Sequence, residues 1–380
     1  MRKMRTAAAL FGASAMLVTA ACGSDDTETS TGTGSGDDAT EAEAKPAELT
    51  FVISATAIGP KEDMVLAAAK QLGYFEEEGI TLNIENADGS QASLQAIVSG
   101  SADISAAEAG VIAVAVNNGL PVVATGGVVQ NFPWQIATTP DSDIESGGDL
   151  KGKKIGVISL ASGSYPYSKA FVEASGLNPD SDVEFLPVGT GAQALGALEG
   201  GQVDALGLYG QGYQVIENTG VEFKYLDNPE FFDGIRSITF VVSKDSLAKN
   251  ADAIGRFQRA FYKGLVFAAE NPEATVQYGY DEFPQVLNGA DPSTRIADDV
   301  KSMERWLSSA LPLDGTMADW SDWGFITDEE WEATQNYLVK TAQLPEALPL
   351  DDIWSDSLLK SSNEFDKDAA IADAKAGYKG

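Results

Sequence analysis

The sequence predicts a mixed α/β protein built as two lobes of related design, and three observations carry that prediction. Runs of strand period alternate with runs of helical period from Glu48 onward. The same series of elements returns about 100 residues later. The length, 380 residues with 44% hydrophobic content, exceeds a typical domain of about 100–200 residues and supplies enough apolar side chains for real cores.

Arg2, Lys3 and Arg5 precede an uncharged run, TAAALFGASAMLVTAAC, and the next charge is Asp25. This apolar stretch is shorter than the roughly 20 residues that a membrane-crossing helix needs. Cys22, the only cysteine, follows Ala20 and Ala21, where such a signal would be cut. The placement resembles a bacterial lipoprotein signal over residues 1–22, with Cys22 as the lipidation site and Thr19 where that pattern usually has Leu. The alternative is an ordinary secretory signal with an incidental cysteine. Residues 23–47 are rich in Gly, Ser, Thr and acidic residues, contain no aromatic and read as a disordered linker.

In the body, ELTFVIS reads as a strand, KEDMVLAAAKQLG as a helix with Met64, Leu66, Ala67, Ala68 and Leu72 at helical spacing, and ITLNIENA as an alternating strand. QASLQAIVSG reads as a helix ended by Gly100, and ADIS as a buried strand. Such alternation predicts parallel sheets with helices on both faces. An offset of 101 places Leu94 over Leu195, Ala96 over Ala197, Gly100 over Gly201, Asp103 over Asp204 and Gly119 over Gly220. Two crossings between lobes are expected, one at NFPWQIATT, where Pro133 interrupts any strand, and one at SITFVVSKDSL, an extended run. The first lobe then comprises 48–132 and is completed by 233–380, and the second comprises 133–232. The helical C-terminal region, as in AIGRFQRAFYKGLVFAAE and EEWEATQNYLVKTA, is expected to pack outside the first lobe.

Composition excludes several functions. A net charge of −32 repels nucleic-acid phosphates and anionic lipid headgroups. With no histidine anywhere, Ser-His-Asp hydrolysis, Cys-His proteolysis, His-ligated zinc and haem sites are ruled out. GTGAQALG satisfies G-x-G-x-x-A, but it lies in mid-lobe, and Asp204, the one acidic residue near the required spacing, reads as a turn; no dinucleotide site is expected. DSDIES fails as a calcium loop because its sixth position is Ser146 and its twelfth Gly152. No metal or cofactor is expected.

GYFEEEGI, SLQAIVSGSADIS, GLPVVATG, DLKGKKIGV, GLNPDSDVEFLPVG and LEGGQVDAL, in that order, resemble the solute-binding proteins of ABC importers of the nitrate, sulfonate, taurine and thiamine-precursor type. The resemblance covers roughly residues 48–270. It implies a two-lobed periplasmic-binding-protein-like fold of type II with two hinge crossovers, a cleft that closes on solute, and delivery to permease and ATPase subunits. It also implies an extracytoplasmic, lipid-anchored monomer that is not an enzyme. Pyrimidine synthases of the same architecture use histidine and cysteine, which the body lacks.

In open parallel sheets ligands sit beyond the carboxyl ends of the strands. The candidates there are Ser54, Thr56, Ser90, Gln91 and Glu108 in the first lobe and Ser162, Ser164, Tyr165, Thr190, Tyr209 and Gln211 in the second. Phe132, Trp134 and Arg236 join them from the crossings. Several of these loops open helices, whose free N–H groups could hold an oxyanion without any Arg. Ser90, Ser164 and Thr190 read equally as N-caps, Glu108 as a solvated first-turn carboxylate, Phe132 and Trp134 as hinge packing, and Arg236 as an interlobe ion pair. Aromatic walls and a carboxylate favour a small aromatic or heteroaromatic solute over an inorganic anion. The runner-up ligands are an alkyl- or arylsulfonate, taurine or nitrate, and the rival role is a ligand-sensing lipoprotein not coupled to transport.

Overall fold

The computed structural model describes residues 45–55, 58–160 and 162–380, so Cys22, the linker up to Ala44, and Thr56 lie outside the described residues. The first sheet is built from β1 (Ala47–Ile53), β2 (Ile80–Asn86), β3 (Ile104–Glu108) and β4 (Val122–Val129). Between them run α1 (Glu62–Gln71), the single turn α2 (Tyr74–Glu77), α3 (Gly89–Ser99) and α4 (Ala109–Asn117). The second sheet is built from β5 (Trp134–Thr138), β6 (Lys154–Val157), β7 (Glu184–Pro187), β8 (Ala205–Tyr209) and β9 (Lys224–Leu226), with helices α5 (Ser164–Ala174), α6 (Ala192–Glu199) and α7 (Gly210–Glu217). The chain then returns to the first sheet as β10 (Ile238–Ser243).

Helices α8 (Lys244–Glu270), α9 (Pro272–Glu282), α10 (Pro292–Ala310) and α11 (Asp328–Lys340) follow, and the short α12 (Leu350–Ile353), α13 (Leu359–Ser362) and α14 (Lys367–Ala376) end the chain. The extended run expected through SKDSL stops at Ser243, because its hydroxyl accepts from the Ser246 N–H at 3.0 Å and caps α8.

The sheet orders are β2-β1-β3-β10-β4 and β7-β6-β8-β5-β9, the same pattern twice. Four strands of each are mutually parallel, as the alternation predicts, but the fourth position runs antiparallel. That strand is the one delivered by the crossing from the other lobe, which enters from the opposite end. The 101-residue repeat is visible in hydrogen bonds. Asp103 accepts from the Thr50 N–H at 2.8 Å and its own N–H donates to the Thr50 carbonyl. Asp204 does the same with Lys154, at 2.7 Å. Both Asp residues thereby fasten the start of one strand to its parallel neighbour. Gly100 and Gly201 stand at φ +74° and +67°, the left-handed conformation that ends each preceding helix.

The first core is aromatic and lies between α8 and the first sheet. Phe257 stacks on Phe51 at 5.5 Å and Phe261 meets Phe240 edge-on at 4.9 Å, geometries worth about 0.5–1.5 kcal/mol each beyond burial. A second core spans the seam between the lobes. It joins Ile112 and Ala113 of α4, Tyr167 and Phe171 of α5, Phe232 of the return crossing, and Trp331 and Leu338 of α11.

The C-terminal region therefore departs from the expected outer position. Helices α8, α9 and α14 pack on the first lobe, but α11 fills the seam, and α10 also packs on α7 of the second lobe. There Asn218 donates to the Asp298 carbonyl at 3.2 Å, and Arg305 donates to the Gln135 side chain while its guanidinium lies 5.1 Å above the Tyr225 ring.

Candidate functional site

An interlobe cavity of about 1570 Å³ opens at the carboxyl ends of the strands. Ser90, Gln91 and Glu108 line it from the first lobe, Ser162 and Tyr165 from the second, and Lys340 to Gln343 from the end of α11. Five of the sequence-derived candidates thus share one cleft.

The helices that open toward the strand ends differ from the peripheral ones in how they begin. None of α1, α3, α4, α5, α6 and α7 has a side chain capping its first turn. By contrast α8, α9, α10, α11 and α14 are capped by Ser243, Asn271, Asp291, Thr327 and Asp366. First-turn N–H groups are orphan donors that must find a partner. Several are taken within the protein: Tyr165 donates to the Ser162 carbonyl and Met64 to the Lys61 carbonyl, while Ala109 donates to the Ser237 carbonyl and Gly210 to the Pro133 carbonyl, which ties α4 and α7 to the crossings. The cleft is consequently a region of donors supplied by backbone, suited to ligand oxygens.

The serines are engaged elsewhere than the capping alternative supposed. Ser54 turns inward, donating to the Ala106 carbonyl at 2.6 Å and meeting Ser93 and Ser105 at 2.7 and 3.0 Å. Ser90 accepts from the Glu108 N–H at 3.3 Å and so links the α3 and α4 termini. Ser164 is buried and accepts from the Ile158 N–H at 2.8 Å, with Ser162 bonded to it at 2.8 Å. The N-cap positions belong to Asp88, Gly163 and Gly191. Thr190 is exposed between Gly189 and Gly191, whose φ values of +73° and +56° only glycine adopts readily.

Phe132 belongs to the seam: it stacks on Phe232 at 5.5 Å and meets Tyr337 edge-on at 5.4 Å. Trp134 is half-buried, stacks on Tyr167, meets Tyr209 edge-on at 5.7 Å, and lies so close to Gly163 that a Cβ there would sit 3.0 Å from its ring. Tyr209 and Gln211 are half-buried where β8 passes into α7. Arg236 pairs with Glu330 and donates to the Gln130 carbonyl at 2.6 Å. The ion pair is therefore made with α11 rather than with a second-lobe side chain, as had been expected, because α11 occupies the seam.

Glu108 is exposed by surface area, yet burial raises its carboxyl pKa. Both hold for a side chain that keeps accessible surface while protein atoms crowd around it in the cleft wall. Its charge in turn adds to burial in raising the pKa of Tyr337. The lysines of the cleft are already neutralised. Lys169 pairs with Asp180 at 2.7 Å and Lys340 with Glu173 at 3.1 Å, leaving Asp88 and Glu108 without an ion-pair partner among the described residues. At the other side, burial works against the charge of Lys61, but Asp63 and Glu62 at 2.7 and 2.9 Å outweigh it and raise its pKa. Burial raises the pKa of Tyr209 and the Lys61 charge partly offsets this.

Sequence reasoning missed Lys340 and Gln343, because EEWEATQNYLVKTA carries only helical periodicity and nothing local reports that α11 ends in the cleft.

The riboflavin-binding protein RibY of Chloroflexus aurantiacus is 24% identical over 278 residues, 72% of this chain and 75% of that protein. The periplasmic aliphatic sulphonate binding protein SsuA of Escherichia coli superposes with a TM-score of 0.62 over 82% of this chain and 92% of its own, at 17% identity. The desulfurization enzyme DszB shares the fold as well, with a TM-score of 0.55 over 82% of this chain and 98% of its own, at 17% identity. A family model described as NMT1/THI5 like matches residues 62–275, from α1 into the first turn of α9. That span is more than half of the chain and contains both faces of the cleft, and the protein belongs to the NMT1/THI5-like family.

Proposed function

We propose that the protein is the extracytoplasmic solute receptor of an ABC importer, which captures a small heteroaromatic solute in the interlobe cleft and hands it to the permease. The observation that carries this reading is the pairing of orphan backbone donors with one unpartnered carboxylate, Glu108, in the cleft wall. A ring bearing carbonyl and N–H groups on one edge answers both. A sulfonate or nitrate answers only the donors, and it meets two uncompensated carboxylates and no free lysine among the described cleft residues. The sulfonate reading keeps its support from the uncapped helices and the SsuA likeness.

The receptor is proposed to be a monomer held to the cell membrane by lipid on Cys22, with residues 23–47 as its tether. A signal-like run ending in the only cysteine supports that anchor. Histidine- or thiol-based catalysis is disfavoured by a sequence without histidine, whose only cysteine is Cys22. Coupling to transport and coupling to a sensor make the same demands on the cleft.

The test is a thermal-shift panel of pyrimidines, flavins, aromatic acids, sulfonates and nitrate. A heteroaromatic present at a hundred times its Kd is expected to stabilise the protein by about 2.7 kcal/mol. Selective stabilisation by taurine or nitrate would overturn the heteroaromatic reading.

A further inference from the structure

The cavity is longer than the strand-end loops require. From Glu108 it follows α4 outward to Asn118, a run of about 15 Å at roughly 1.5 Å per residue. Its volume of about 1570 Å³ exceeds the roughly 300–1,000 Å³ of ordinary small-molecule sites. A compact anion seated at Ser90 would leave most of this space to water.

The walls of the extension are apolar. Val111 and Val114, three residues apart and half-buried, lie on one face of α4 with Leu120 beyond them. Leu160, Pro166 and Leu177 line the groove from the second lobe. Leu160 is 56% exposed where it lines the groove, so its side chain is accessible to a solute lying there. Polar residues line the groove as well: Lys340 and Glu173 pair at 3.1 Å, joining α11 to α5, and Asn118 and Gln343 are also in its wall.

On the reading of the cleft as a solute site, we propose that the groove along α4 is a second subsite and that the solute is elongated. A polar heteroaromatic edge lies at Ser90 and Glu108, an extended flat body of fused rings lies between Val111, Val114 and Leu160, and a polar tail reaches Asn118 and Gln343. The order of chemistry along the groove, donor and carboxylate, then apolar walls, then amides and an ion pair, sets the order of chemistry along the ligand.

Riboflavin, a fused-ring molecule with a hydroxylated chain, and uracil, a single ring with the same type of imide edge, are the probes. Taurine and nitrate serve as compact controls. Calorimetry on the full chain is expected to show riboflavin binding at least ten-fold tighter than uracil. Val114→Trp, which fills the groove from α4, is expected to weaken riboflavin at least ten-fold and uracil less than two-fold. Leu160→Trp fills it from the opposite, solvent-exposed wall and gives the same result if Val114→Trp fails to fold.

Uracil binding as tightly as riboflavin, or riboflavin binding unaffected by both variants, overturns the second subsite and leaves the heteroaromatic reading standing. Binding of taurine or nitrate alone, unaffected by either variant, overturns both. A wild-type protein that binds none of the four also overturns both.

Discussion

Burial raises the pKa of Glu108 above the ordinary glutamate range, so the folded protein holds a proton there more tightly than the unfolded chain does. The stability this confers is fully present below the ordinary glutamate range and is lost as pH rises through the raised folded value. Glu108→Gln is therefore expected to raise Tm at neutral pH and to flatten its decline between acid and neutral pH. The same change removes a charge-assisted acceptor worth about 1.5–3 kcal/mol, so affinity for an N–H-bearing heteroaromatic should fall about ten- to a hundred-fold. Melting curves across pH together with calorimetry check both halves. A variant that loses affinity with no gain in Tm would show that Glu108 is not strained in the free protein. Unchanged affinity would remove it from the ligand's contacts.

Among elements, the two Asp residues that open β3 and β8 make the same pair of bonds. Both are half-exposed, which places each bond near the lower end of the range for charged groups. Asp103→Ala and Asp204→Ala are each expected to cost about 1.5 kcal/mol in urea unfolding. A large loss at one site with none at the other would mean that the likeness of the lobes is geometric only.

This correspondence was legible because periodicity and glycine spacing are local signals. Leu94, Gly100 and Asp103 sit at fixed distances along one strand–helix–strand unit, and so do their counterparts 101 residues on. Ser90, Gln91, Glu108, Ser162 and Tyr165 could be found for the same reason, as the residues just past strand ends. The antiparallel seating of β5 and β10 and the position of α11 were not legible. They depend on how the chain returns between distant segments, and EEWEATQNYLVKTA has the same pattern in a seam as on an outer face. Whether a serine caps a helix or bridges two loops is likewise decided by tertiary neighbours, as Ser90 and Ser164 show.

The acidic body and the run ahead of it belong to one design. A charge of −32 on 380 residues gives the body no electrostatic affinity for an anionic membrane surface, so residence there needs a covalent lipid. Cys22→Ala is expected to abolish lipid labelling and to leave the chain unprocessed or released. Unchanged labelling or membrane association in that variant would place the anchor elsewhere.

The seat of β10 also governs how the chain can reach its native state. It lies between β3 and β4, pairing Ile238 with Glu108 and with Val129. Until that strand has emerged, more than a hundred residues after its partners, β3 and β4 have open inner edges, and Phe240 is missing from the core that Phe51 and Phe257 build. Contacts of such long sequence separation slow folding. A chain that ends before Ile238 carries a complete set of second-lobe strands but no closed first lobe, and it exposes the edges that quality-control proteases and chaperones bind.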